Sequence, residues 1–135
     1  MIDFGKCEIE VSHKKIVLKE KKSQIIFYNK NQKKIKKIIV DGCVLTEGLR
    51  CDYLLIDDFG IEHFVELKGR NIKHAVEQIT TTIESISSNP KETKKEAFVV
   101  SSRCPLINSE IQTYKLKLKR NLQHNFIDKE YILRT

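Results

Sequence analysis

From residue 24 to residue 67 the chain alternates short β-branched or aromatic runs with polar breaks. Gln24-Ile25-Ile26-Phe27-Tyr28 reads as a strand, with Asn29-Lys30-Asn31-Gln32 as its turn. Ile35-Lys36-Lys37-Ile38-Ile39-Val40 reads as a further strand ending at the turn signal Asp41-Gly42. Upstream, Cys7, Ile9 and Val11 alternate as in a strand, ahead of the apolar run Ile16-Val17-Leu18. Residues 51–69 then form two apolar strands around Asp58-Phe59-Gly60, a hairpin loop with Gly60 at its left-handed position. In that register Asp57 faces Ile61, and counting back along both strands places Asp52 opposite Glu66. A strand presents residues i and i+2 on one face, so Glu66 and Lys68 point together while Val65 and Leu67 point the other way.

Past Gly69-Arg70-Asn71, with Asn71 as an N-cap, the period changes. Ile72, Val76, Ile79, Ile83 and Ile86 recur alternately four and three residues apart, the stripe of an amphipathic helix that Asn89-Pro90 stops. Ala97-Phe98-Val99-Val100-Ser101 is continuously apolar, as in a parallel strand buried on both faces. Ile107, Ile111, Tyr114 and Leu118 predict a second helix, and residues 127–133 an edge strand. The order predicts an α/β (α+β) fold, a central mixed β-sheet flanked by helices. A length of 135 residues accommodates one domain. Within it the pattern separates an N-terminal basic strand region (1–34), a core (about 35–102) and a C-terminal helix and strand (105–135).

Composition adds a charge argument. The formal net charge is +7 and the pI near 9.2, a balance that favours a polyanionic partner, nucleic acid being the commonest. No run is long enough to span a membrane and the first residues lack the pattern of a signal peptide, so the expectation is a soluble, cytoplasmic protein. Cys7, Cys43, Cys51 and Cys104 form no CxxC, and His13, His63, His74 and His124 are not spaced as zinc ligands. Reduced thiols are the expected state, with Cys43 and Cys51 as small strand residues. His63 and His74 read as surface or partly packed side chains.

The candidate chemistry lies on the hairpin. Two carboxylates directly across a ladder repel one another, so Asp52 opposite Glu66 suggests a missing divalent cation. A hard cation such as Mg²⁺ takes oxygen ligands, usually one or two carboxylates together with water and phosphate. Asp52, Glu66 and the Leu67 carbonyl would supply the oxygens, and Lys68 would orient an attacking water or stabilise charge on a phosphate oxygen. Glu47 joins them if the bend at Gly48 returns it to the sheet, with Glu8, Glu10 and Glu20 as rivals. A salt-bridged strand pair, Lys68 neutralising Glu66, is the alternative on spacing alone.

Asp52, then Glu66-Leu67-Lys68 after a hairpin, then a helix carrying Gln78, resembles the PD-(D/E)XK nuclease superfamily over about residues 35–102. The likeness runs to small Holliday-junction-resolvase-like members. It implies a restriction-endonuclease-like core and Mg²⁺-dependent (or Mn²⁺-dependent) phosphodiester hydrolysis in DNA, with water as nucleophile and a homodimer by analogy. RNA is the less favoured substrate. Asp52, Glu66, Lys68, Gln78 and Glu47 are the catalytic candidates. Asp52, Glu66, Leu67 and Glu47 are the metal candidates, and Lys33, Lys34, Lys36, Lys37 and Arg70 the phosphate contacts. Two departures stand out: Glu47 lies only five residues before Asp52, whereas the family's first acid sits on an upstream helix, and no proline precedes Asp52. The competing reading is a catalytically inactive nucleic-acid-binding or subunit-interaction module with the same fold.

Overall fold

The structure, a computed structural model, describes residues 4–21, 23–67, 72–88, 95–100, 122–126 and 130–133. A 3-10 turn at Gly5–Cys7 leads into β1 (Glu8–Val11), β2 (Lys15–Glu20), β3 (Ser23–Tyr28), β4 (Ile35–Ile39), β5 (Tyr53–Ile56) and β6 (Glu62–Leu67). Helix α1 (Ile72–Ile86) is followed by β7 (Lys95–Val100), β8 (Leu122–Phe126) and β9 (Glu130–Ile132). The strands form a six-stranded sheet in the order β1-β4-β5-β6-β7-β8 and a three-stranded sheet in the order β2-β3-β9. Both are mixed: β7 and β8 continue the antiparallel β1–β6 half as parallel neighbours, and β9 runs parallel to β3.

Side-chain alternation divides the core into two layers. On one face of the large sheet Ile38, Leu54, Phe64 and Ala97 meet Ala75, Val76, Ile79, Ile83 and Ile86 of α1. From Val76 to Ile86 the predicted stripe buries as drawn, and tertiary packing overrides the modest helix propensity of its isoleucines. On the other face Leu55, Val65 and Phe98 pack against Ile16, Leu18, Ile25 and Phe27 of the small sheet. Squeezed between α1 and that sheet, β6 and β7 are buried at every position. The mixed sheet matches the sequence reading, but among the described residues its second face is covered by strands instead of a helix. The predicted helix over Ile107 to Leu118 lies outside the described residues. β8 carries no periodic signal that the sequence reading used, and β9 realises the expected edge strand at the margin of the small sheet.

The hairpin register is as counted. Asp57 N–H donates to the Ile61 carbonyl at 3.1 Å, and Gly60 sits at φ +81°. The Asp57 carboxylate also accepts the N–H groups of Phe59 and Ile61, which stiffens the loop. The cysteines differ from expectation: Cys7 and Cys43 form a disulfide across 36 residues. The β1–β4 pairing brings the start of β1 beside the turn that follows β4, a proximity no sequence spacing announces. Cys51 is a buried free thiol just before β5, so reduced thiols, the state expected for all the cysteines, hold for Cys51 and not for Cys7 and Cys43.

His63 is a second correction. It is 2% exposed, with Nε2 3.0 Å from Asp57 Oδ2 and Nδ1 3.2 Å from Glu96 Oε2. Tyr131 completes the cluster by donating its hydroxyl to Glu96 Oε1 at 2.8 Å, so the hairpin, β7 and β9 are tied together. Burial works to lower the His63 pKa, but the two carboxylates outweigh it and raise it, favouring the imidazolium. Burial works to raise the Asp57 pKa, but His63 and the N–H groups of Ile61 and Phe59 together outweigh it and hold the carboxyl below its usual value.

Two outcomes follow from this packing. Ile79, fully buried under the sheet, costs about 2–5 kcal/mol when replaced by Ala, measured by chemical denaturation. The His63 contribution to stability is complete below the ordinary histidine value of about 6.5 and is lost as pH rises through the raised folded value. An imidazole NMR titration with its midpoint below the ordinary value would show instead that burial wins.

Candidate functional site

Asp52 immediately precedes β5, and Glu66 is the penultimate residue of β6, directly across the ladder. Each shares its strand face with an apolar neighbour two residues away, Leu54 or Phe64, that packs under α1, so both carboxylates lie on the helix side. Asp52 is secured on all sides. Its N–H donates to the Val65 carbonyl at 3.0 Å, and its carbonyl accepts the N–H groups of Val40 and Asp41 at 3.0 and 3.3 Å. Its Oδ2 accepts the Leu67 N–H at 2.8 Å.

The two carboxyls are 9% and 7% exposed and hydrogen-bond to one another. Glu66 Oε1 has no hydrogen-bond partner, the one buried side-chain oxygen or nitrogen among the described residues left in that state. Burial raises the Asp52 pKa, the Leu67 N–H partly opposes it, and the carboxylates of Glu20 and Asp41 add to the rise. Glu66 is pushed up further, first by burial and then by the charge of Asp52. Two adjacent carboxyls in a low-dielectric site cannot both ionise readily, so folding favours a proton shared by the pair. Burial lifts the neighbouring Cys51 thiol to about 12, which removes it as a nucleophile.

Helix α1 contributes polar side chains at this level. Gln78 Nε2 donates to the Arg50 carbonyl at 3.1 Å, and Thr82 Oγ1 accepts the Cys51 N–H at 2.8 Å. Arg50 in turn donates from Nε to Asp41 Oδ1 at 2.7 Å and from Nη1 to the Gly48 carbonyl.

The structure brings Asp52, Glu66 and Gln78 into one neighbourhood and leaves other sequence candidates apart. Glu47 is exposed in a bend, and the outer carboxylates that act on the pair are Glu20 and Asp41. Glu20 was a rival candidate for the upstream acid; Asp41 was read only as a turn residue, and nothing in the local pattern marked it otherwise. Leu67 meets Asp52 through its N–H. Lys33, Lys34, Lys36 and Lys37 lie toward the other end of the sheet. Lys36 pairs with Ile56 beside the hairpin loop, four residues or ~13 Å along β4 from Val40, which bonds to Asp52. Lys37 stacks its ammonium 5.8 Å from the Tyr53 ring on the opposite face from α1. Lys68 and Arg70 lie outside the described residues.

A cavity of about 360 Å³ opens at that far end between Glu10, Lys34, Lys36, Asp58 and Glu62. Its buried acid is already satisfied, Glu62 accepting from Ser87 Oγ at 2.6 Å and from Ser88 N–H at 3.1 Å. Among the described residues no three His, Cys, Asp or Glu side chains form a metal cage. Two carboxylates with one partnerless oxygen still suit a hard cation that draws its remaining ligands from water and phosphate.

Because folding raises both carboxyl pKa values, their contribution is most favourable below the ordinary carboxylate range and is lost as pH climbs through the raised values. Glu66→Gln is therefore expected to stabilise the metal-free protein at neutral and alkaline pH and to flatten that decline. Urea denaturation from pH 5 to 9 measures it, and a variant less stable than wild type at every pH would contradict the assignment. No family model matches the chain, and no curated protein or solved structure matches it.

Proposed function

We propose that the chain is a Mg²⁺-dependent phosphodiesterase that hydrolyses DNA, built on a restriction-endonuclease-like core. The observation that carries the reading is the buried Asp52–Glu66 pair with Glu66 Oε1 left without a partner. Burying two like-charged acceptors and leaving one unsatisfied is costly for a purely structural strand pair. It is the expected state of a cation site. The hairpin, α1 and the parallel return to β7 support the core assignment, since they set the acid pair at a strand end beside a helix.

In this reading Asp52 and Glu66 hold the cation. Once bound, Mg²⁺ lowers the pKa of a coordinated water and offsets charge on the scissile phosphate. The remaining roles belong to the protein. Leu67 N–H fixes the Asp52 carboxylate, leaving its other oxygen for the ligand. The β-ladder holds Glu66 opposite it. Lys68, two residues beyond Glu66, is assigned to the attacking water. The surplus of lysine attracts the backbone of the substrate without reading its sequence.

The test is cleavage of plasmid and branched DNA, with an RNA arm, in Mg²⁺ or Mn²⁺. Asp52→Asn, Glu66→Gln and Lys68→Ala are each expected to lower the rate by at least about a hundredfold. Equal cleavage by wild type and variants would sink the proposal. Salt-sensitive DNA binding without cleavage, unchanged in Glu66→Ala, would make the chain a binding module.

A further inference from the structure

The hydrogen bonds from α1 to the segment before β5 fall on a single peptide unit. Gln78 Nε2 donates to the carbonyl of Arg50, and Thr82 Oγ1 accepts the N–H of Cys51, so the two groups belong to the 50–51 peptide. Residues 78 and 82 are four apart and therefore lie on the same helix face. Thr82 is fully buried and its hydroxyl proton is directed to the Gln78 carbonyl at 2.7 Å, which leaves the hydroxyl oxygen as an acceptor. The helix thus holds one peptide plane by both its polar groups, one residue before Asp52.

The rest of the Asp52 backbone is held from the sheet side by Val40, Asp41 and Val65. The helix bonds are the only ones among those described that tie this segment to α1, the element packed over Phe64 on the Glu66 strand. We infer that Thr82, acting with Gln78 through the 50–51 peptide, is a positioning residue that sets the spacing of the Asp52–Glu66 cation site. Gln78, the helix residue that the sequence nominated as catalytic, works here on the protein backbone. The inference rests on the cation-site reading of that pair.

Buried partners that orient metal-binding side chains typically change metal affinity by 10–100-fold when removed. Thr82→Val keeps the shape and removes the acceptor. Thr82→Ser keeps the hydroxyl. Gln78→Met removes the side-chain donor at a half-buried position where a folding defect is not expected. The measurements are Mn²⁺ binding by calorimetry on the full chain and hydrogen exchange at the Cys51 and Asp52 amides. The expected result is at least about tenfold weaker Mn²⁺ binding for Thr82→Val and Gln78→Met, faster exchange at Cys51 in Thr82→Val, and near wild-type behaviour for Thr82→Ser. If Thr82→Val does not fold, Gln78→Met and Thr82→Ser decide the matter by the same two measurements. Faster exchange with unchanged Mn²⁺ affinity overturns the positioning role and leaves the cation site standing. No Mn²⁺ binding by wild type or any variant overturns both.

Discussion

Burying Asp52 and Glu66 side by side costs free energy twice, once for desolvation and once for repulsion between like charges. The surrounding structure limits that cost without removing it. Asp52 receives a backbone N–H from Leu67, and its own main chain is bonded to three neighbouring residues. Glu66 receives less: it bonds to Asp52 and keeps one buried oxygen without a partner. A proton shared by the pair is the compensation available to the chain alone, and a bound cation would be the stronger one.

The same strand carries two other buried ionisable groups, and both find partners within the protein. β6 carries Glu62, His63 and Glu66, all buried. Glu62 is capped by Ser87 and Ser88 just past the end of α1. His63 lies between Asp57 and Glu96, with Tyr131 on the far carboxylate. Two of the three are therefore satisfied by protein groups, and the third is not. Poor packing of β6 does not explain the difference, because the strand is buried along its whole length. What separates Glu66 is its place near the strand end on the face that packs under α1, where Gln78 and Thr82 bond to backbone instead of to the carboxylate.

The acid pair, the hairpin loop and the helix were legible because each rests on local chemistry or short period: Gly60 at positive φ, alternation along β5 and β6, and the three-four spacing of Ile79, Ile83 and Ile86. The helix that carries Gln78 was legible too, but the partner of Gln78, a carbonyl 28 residues away, was not. The clustering of Lys36 and Lys37 was legible in the sequence, but their place on β4 opposite Ile56 and Leu55 was set by strand pairing.

The sequence by itself determined the strand–hairpin–helix–strand order and the pairing of Asp52 with Glu66, because backbone alternation and one turn suffice to set register. Only the tertiary structure decided that a second sheet covers the face opposite α1, that Cys7 meets Cys43, and that His63 is enclosed by carboxylates. It also decided that Asp41 and Glu20 bear on the pair and that Gln78 and Thr82 grip the peptide beside it. Each of these joins residues far apart in the chain, through packing that brings separate elements together, and no local spacing encodes which partners will meet.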